Sequence, residues 1–317
     1  MQNLPQNHIK DLEEVRALVR SGNYKAVEML YDSVPEVLSE LIRTAFIPKP
    51  GYKFFVADFS SIEAVVLAWL AGEKRTLEAY IAKRDLYIEN AEVMFGVPKE
   101  SIDKKSPLRH KSKIAVLACG YGGSVGALKA FGALDMGLKE EELKPLVDAW
   151  RNANPNIVRF WWEVDKAAMK AVKERTISET HGIRFTYQSA MLFITLPSGR
   201  RLSYVKPRVG ENQFGSDCIT YEGVGMAKKW ERIESYGPKF VENIVQAISR
   251  DILAEALKRL NKCGYEIVMH IHDEAVIEAP ADTTLENICS VMGQVPGWAD
   301  GLVLRADGDS LDRKSVV

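Results

Sequence analysis

Two short apolar runs, far apart in this chain, each lead into an acidic group, and a basic helical stretch lies between them. The first run is Tyr52–Ala57, which leads into Asp58-Phe59-Ser60-Ser61-Ile62-Glu63. The second is Tyr265–Met269, followed by His270-Ile271-His272-Asp273-Glu274 and then Ala275-Val276-Ile277. Short apolar runs rich in aromatic and β-branched residues and bounded by turn signals read as strands. The second therefore reads as a hairpin with an acidic tip. If the two strands are neighbours, both carboxylates fall on one edge of one sheet. Alone, Asp58 reads as a cap for the next helix and Asp273 as a turn residue. Together they suit a pair of divalent ions, which share carboxylates at roughly 4 Å separation and clamp both oxygens of an in-line displacement. Magnesium takes one or two carboxylates and leaves its other positions to substrate phosphates and water.

The stretch between them carries Lys104, Lys105, Arg109, Lys111 and Lys113, with His110 among them. Arg109, Lys113, Leu117 and Tyr121 are four apart, so they form one slowly turning stripe on a helix. The two cations suit phosphates, and Tyr121 offers a flat surface. Gly120 and Gly122-Gly123 permit close approach of a base or backbone. No GxxxxGK[ST] loop is present, so this is not a Walker A site. His270 and His272 alternate along the predicted strand and point to opposite faces, which argues against an HxH zinc site. His272 is then better read as a substrate contact.

Composition sets broad bounds. The chain has 317 residues, is 46% hydrophobic and 27% charged, and has a net charge of -1. That supports one large or two modest domains. The charge balance argues weakly against a generic nucleic-acid binder, so local clusters matter more. The four cysteines are widely spaced with no CxxC pair, which excludes a standard zinc knuckle and a disulfide framework. No apolar run of ~18 residues predicts a membrane span, and no secretory signal pattern opens the chain. A cytoplasmic protein with no membrane partner is the expectation.

Along the chain, Asp11–Arg20 and Tyr24–Tyr31 read as short helices. Ser60 or Ser61 is expected to cap a helix over Ile62–Ala71 that Gly72 ends. Helices are predicted over Leu86–Phe95, from Pro107 onward, over Glu140–Asn152 and over Ile157–Val172. Strands follow at Arg184–Tyr187, Met191–Leu196 and Arg201–Tyr204. The longest helix pattern is Pro238–Cys263, closed by Gly264, with Val241, Val245, Ile248, Ile252 and Ala256 on its buried face.

These motifs, in this order, resemble the DNA polymerase I family (family A), most closely its bacteriophage and prophage members. Asp58-Phe59-Ser60-Ser61-Ile62-Glu63-Ala64 resembles motif A. Arg109-(x3)-Lys113-(x7)-Tyr121-Gly122 resembles motif B, and His272-Asp273-Glu274 motif C. Gln246 matches the family's glutamine on the helix before motif C, and Gln2-Asn3-Leu4-Pro5 looks like the palm segment upstream of motif A. The resemblance implies an α+β fold: an antiparallel palm sheet with an inserted helical fingers subdomain. Its boundaries would be 1–77 and 231–311 for the palm and 78–230 for the fingers.

The implied activity is template-directed addition of deoxynucleotides to a primer 3′-end by two-metal nucleotidyl transfer, in phage or prophage DNA replication. Primer-template DNA and deoxynucleoside triphosphates would be the partners. Asp58, Asp273 and the Phe59 carbonyl would hold two Mg²⁺ ions, with Glu274 a secondary acid. Glu63, paired with Tyr121, would exclude a ribose 2′-hydroxyl. Arg109 and Lys113 would grip the triphosphate, and Leu117 would lie beneath the sugar. Tyr121 would stack near the nascent pair, His272 would approach the primer terminus, and Gln246 the duplex minor groove.

The chain departs from the family pattern in three places. Val65 stands where the family usually has Arg. The thumb and exonuclease-like domain have no counterpart here, so weak, distributive, salt-sensitive extension is the expectation. Asp312–Val317 resembles a translated sequencing adapter and is read as a non-native tail. The rival readings are an inactive fragment that only binds DNA or nucleotide, and a single-subunit RNA polymerase relative, against which Glu63 argues.

Overall fold

The computed structural model describes residues 8–212 and 214–311. Gln2–Pro5 and Asp312–Val317 lie outside the described residues. The chain forms two compact units, one of Met1–Ser60, Leu253–Gln294 and Leu304–Val317, the other of Ser61–Ile252 and Val295–Val303. Both combine helices with antiparallel sheet, so the fold is α+β.

The first unit opens with helices α1 (Leu12–Arg20), α2 (Tyr24–Leu30) and α3 (Val34–Thr44). Val15, Val27 and Val37 form their small core, walled by Leu18, Tyr31 and Leu41. The Asn23 side chain caps α2 by accepting from Ala26 N at 3.3 Å. Strand β1 (Tyr52–Phe59) then enters a four-stranded antiparallel sheet. Its order is β10-β1-β9-β8, with β8 at Glu266–Ile271, β9 at Glu274–Pro280 and β10 at Ala306–Leu311. Strand β9 is buried from Glu274 to Ala279 because it is an inner strand with both faces covered. Its one buried acid away from the turn, Glu278, accepts the Lys49 backbone N–H at 2.7 Å and pairs with Lys49 Nζ at 2.9 Å.

The second unit holds α4 (Ile62–Ala71), α5 (Lys74–Ile81), α6 (Leu86–Phe95), α7 (Pro107–Cys119), α8 (Val125–Ala130), α9 (Glu140–Ala153) and α10 (Pro155–Glu174). Most of α4 is buried, which explains its nearly unbroken apolar sequence. Val65 is 0% exposed, so the position where an Arg was expected belongs to the core. Gly72 ends α4 and Gly96 ends α6, each in the left-handed region that favours glycine.

The expected caps of α4 are absent. Ser61 occupies the N-cap position with a left-handed backbone and its side chain makes no capping bond. Ser60 instead donates its hydroxyl to the Asp307 carboxylate on β10.

The expected helical insertion also contains a sheet. Six antiparallel strands run in sequence order: β2 (Ile177–Thr180), β3 (Ile183–Gln188), β4 (Met191–Thr195), β5 (Arg201–Glu211), β6 (Asp217–Val224) and β7 (Trp230–Ser235). Helix α10 packs on this sheet, with Phe160, Trp161, Phe185, Leu192 and Ile194 almost fully buried. Helix α11 (Gly237–Lys262) follows, and Val241, Val245, Ile248, Ile252 and Ala256 are all 0% exposed, as their spacing predicts.

Candidate active site

In the four-stranded sheet, Asp58 on β1 stands directly opposite Glu274 on β9 and Asp307 on β10. Directly opposed residues of antiparallel strands share a face. Asp273 and His272 form the two-residue turn between β8, which ends at Ile271, and β9, which starts at Glu274. Three carboxyl groups on adjacent strands, with that of Asp273 in the adjoining turn, thus gather at one end of the sheet. Asp58 lies one residue inside the end of β1, which runs to Phe59 rather than stopping at Ala57.

The electrostatics are those of crowded acids. Burial raises the Asp58 carboxyl from 3.8 to about 6, with the charges of Asp273 and then Glu274 adding to the effect. Its Oδ1 atom is buried and receives no hydrogen bond. A buried carboxylate oxygen without a donor is costly unless a proton or cation meets it. Among the described residues no group of three or more His, Cys, Asp and Glu is arranged to hold a metal by itself. The acids fit a magnesium site of one or two carboxylates completed by phosphate and water. Asp307 is bonded by Ser60 and by Arg305 Nε at 3.1 Å.

His272 does not alternate with His270 as expected, because the strand has already ended. Its backbone is left-handed, at φ 52°. A non-glycine residue held there is strained, and such strain gathers at functional turns. The side chain is exposed.

In the second unit, Ser106 caps α7 by accepting from Leu108 N at 3.3 Å, and Pro107 fills its first turn. Ile114, Ala115, Ala118 and Cys119 face the core. Lys113 and Leu117 are exposed on the opposite stripe. Arg109 is not free. Its Nε and one terminal nitrogen both lie 2.8 Å from Asp85 Oδ2, while Asp85 Oδ1 caps α6 by accepting from Tyr87 N at 2.9 Å. The Tyr87 ring lies beneath both cations, 5.3 Å from the Arg109 guanidinium carbon and 5.9 Å from Lys113 Nζ. Sequence spacing had not singled out Asp85 or Tyr87. The available signal was an N-cap Asp opening a helix with an aromatic two residues later.

Tyr121 lies beyond the helix it was expected to end, since α7 stops at Cys119. The turn is tied down from several sides. Trp161 Nε1 donates to Gly120 O at 3.1 Å, and Arg151 donates to Gly123 O at 3.3 Å. Gly122 has φ 77°, and a Cβ there would lie 2.5 Å from Pro238 Cβ, so only glycine fits. The Tyr121 hydroxyl donates to Glu63 Oε2 at 2.9 Å. Burial, then the Glu63 charge, pushes that hydroxyl far above the ordinary phenol value, so it remains a donor. Glu63, Leu117 and Tyr121 line a cleft of about 140 Å³, as do Leu67 and Trp150. Gln246 is exposed on α11.

Comparison with known proteins bears on the family and the fold. Residues 32–191 match the model of DNA polymerase family A. The chain is 53% identical over 311 residues to the DNA polymerase of Bacillus phage SP02, covering 97% of this chain and 48% of that protein. It is 26% identical over 250 residues to the thermostable DNA polymerase I of Thermus aquaticus, covering 77% of this chain and 25% of that protein. The chain therefore spans about half the length of the phage relative and a quarter of the bacterial one. Its fold is similar to the POL domain of Pol1 from M. smegmatis, solved in complex with DNA primer-template and dNTP. The TM-score is 0.57 at 19% identity, over 87% of this chain and 43% of that one. With the motif residues arranged as above and half of its length matched by the family model, this chain belongs to DNA polymerase family A.

Proposed function

We propose that this chain is the palm and fingers core of a phage or prophage DNA polymerase. It would add deoxynucleoside monophosphates to a primer 3′-end under template direction. In this reading residues 1–77 and 231–311 are palm and 78–230 are fingers. The observation that carries the reading is the row Asp307, Asp58 and Glu274 with Asp273 in the adjoining turn, where one buried Asp58 oxygen lacks a donor.

Asp58, Asp273 and the Phe59 carbonyl would hold two Mg²⁺ ions, which supply charge neutralisation to the attacking and leaving oxygens. The primer 3′-hydroxyl would lose its proton to solvent, and its oxygen would bond to the α-phosphorus as the α-phosphorus–oxygen bond to pyrophosphate breaks. Glu274 keeps the local field negative and favours cation binding. His272, in its strained turn, would approach the primer terminus, and Gln246 would read the duplex minor groove. Lys113, exposed and cationic, and Arg109, oriented by Asp85, would take the triphosphate. Such cations neutralise charge that spreads over phosphate oxygens. Leu117 would sit under the sugar, and Tyr121 would stack near the new pair.

The Glu63–Tyr121 hydrogen bond supports Glu63 as the group that excludes a 2′-hydroxyl, because it orients a carboxylate that lines the cleft. Glu63→Ala is expected to relax discrimination against ribonucleotides roughly 10- to 200-fold, the range set by shape in a pocket. Competing ribo- and deoxyribonucleotide incorporation measures it, and unchanged discrimination at matched activity removes Glu63 from this role.

Lys113→Ala is expected to raise the nucleotide KM roughly 10- to 100-fold, as for a lost charge-assisted hydrogen bond, while duplex affinity holds. Arg109→Ala should act in the same direction. Steady-state kinetics with filter binding separates the two quantities. Equal loss of DNA affinity with an unchanged nucleotide KM would make α7 a DNA clamp instead.

A further inference from the structure

Beyond Glu222, strand β6 leaves β5 behind. The last β5–β6 pair is Val205 with Glu222, whereas the β6–β7 pairing continues to Val224 with Trp230. The result is a two-stranded ribbon closed by Gly225–Lys229. Gly225 N donates to Lys229 O at 2.9 Å, Lys228 N donates to Gly225 O at 2.9 Å, and Lys228 itself is left-handed at φ 56°. The tip is therefore an ordered turn.

Its surface is unusual for a solvated loop. Val224 is 64% exposed, Trp230 61% and Met226 103%. Lys228 and Lys229 are exposed beside them, and neither ammonium pairs with a carboxylate among the described residues. Glu222 at the base of the ribbon is neutralised by Lys206 at 2.9 Å and Arg232 at 3.2 Å. The same carboxylate accepts the Trp230 indole N–H at 3.4 Å. The indole is thus held by its polar edge while its face stays open. The local cations, Lys206, Lys228, Lys229 and Arg232, outnumber the two acids Glu222 and Glu231.

We propose that this ribbon tip is a single-stranded DNA contact, with Trp230 as a stacking platform and Lys228 and Lys229 as phosphate partners. Sequence-tolerant strand binding combines these two elements, because every base has a π-face and every linkage a charge. A protein partner would call for a wider apolar patch without the surplus of cations. The choice of DNA as the occupant rests on the polymerase reading above, whereas the exposed ring and cations do not.

The test measures affinity of the full chain for a labelled oligo-dT across a salt series, alongside primer extension on a template with a short overhang. Trp230→Ala is expected to weaken oligo-dT binding about tenfold, within the 1–3 kcal/mol typical of base stacking, while Trp230→Phe keeps most of it. Lys228→Gln with Lys229→Gln should lower the log–log salt slope by about 1.4, at roughly 0.7 per single-strand phosphate contact. Short-overhang extension should hold in all three. Unchanged affinity and slope in Trp230→Ala and in the double lysine variant would overturn the proposal, as would a wild-type chain that does not bind oligo-dT. Trp230-dependent strand binding by a chain with no polymerase activity would uphold the ribbon site and count against the polymerase reading alone.

Discussion

Asp58→Ala and Asp273→Ala are each expected to lower nucleotide incorporation by on the order of 10³-fold or more, with the fold retained. Preorganised electrostatic groups at a reacting phosphate each contribute effects of that order, and a metal ligand acts through the whole ion. Both side chains sit at the end of a sheet whose core lies elsewhere, in Phe55, Ala57, Val276 and Ile277. Truncation should therefore leave the secondary structure unchanged. Primer extension with circular dichroism on each variant gives the answer. Comparable extension by either would remove that residue from catalysis. Asp307→Ala makes an informative contrast, since Ser60 and Arg305 already engage that carboxylate.

Replacing Asp58 by Asn should stabilise the metal-free protein while abolishing activity. The folded carboxyl titrates at about 6 because of burial, Asp273 and Glu274, against 3.8 when unperturbed. Between those values the native state holds more protons than the unfolded chain. Stability therefore falls as pH rises through this window, and above about 6 the full penalty is present. At pH 7.5, without divalent ions, Asp58→Asn is expected to recover ~1–2 kcal/mol after allowance for partial exposure. That corresponds to a Tm increase of ~1–3 °C for a chain of 317 residues. Below pH 4 the two proteins should converge. Added Mg²⁺ should raise the wild-type Tm and leave the variant's nearly unchanged, because a ligand stabilises only the state that binds it. Thermal melts at several pH values, with and without Mg²⁺, measure all of this. A variant less stable than wild type at pH 7.5 would show that the acids do not repel.

The parts of the fold legible in the sequence are those with a strong local period or a sharp stop. Helix α11 was readable from five apolar positions on one face and a closing glycine, and α6 and α7 from Gly96 and Pro107. The β8–β9 hairpin was readable because two apolar runs flank a short polar turn. Strand β10 was not, because Ala306-Asp307-Gly308-Asp309-Ser310-Leu311 has little intrinsic strand preference. It exists by pairing with β1, and Gly308 is needed there, since a Cβ would lie 2.1 Å from Val56 O. Asp307 was therefore invisible as a neighbour of Asp58. Strands β6 and β7 were missed for a similar reason, as their exposed polar positions blur the alternation.

At the candidate site, local spacing was legible and three-dimensional context was not. A spacing of four aligned Arg109, Lys113, Leu117 and Tyr121 but did not reveal that the helix stops at Cys119. Tyr121 owes its place to Trp161, Arg151 and Pro238, which are distant in sequence. The hold of Asp85 on Arg109 bridges 24 positions, and no local pattern encodes it.

The most direct test is single-nucleotide incorporation by this chain on a primed template, at low ionic strength with Mg²⁺, for each of the four template bases. The predicted result is incorporation of the complementary deoxynucleotide, abolished by a chelator and by Asp58→Ala. A folded chain that adds no nucleotide, adds one without regard to the template base, or works equally well without Asp58 would contradict the account.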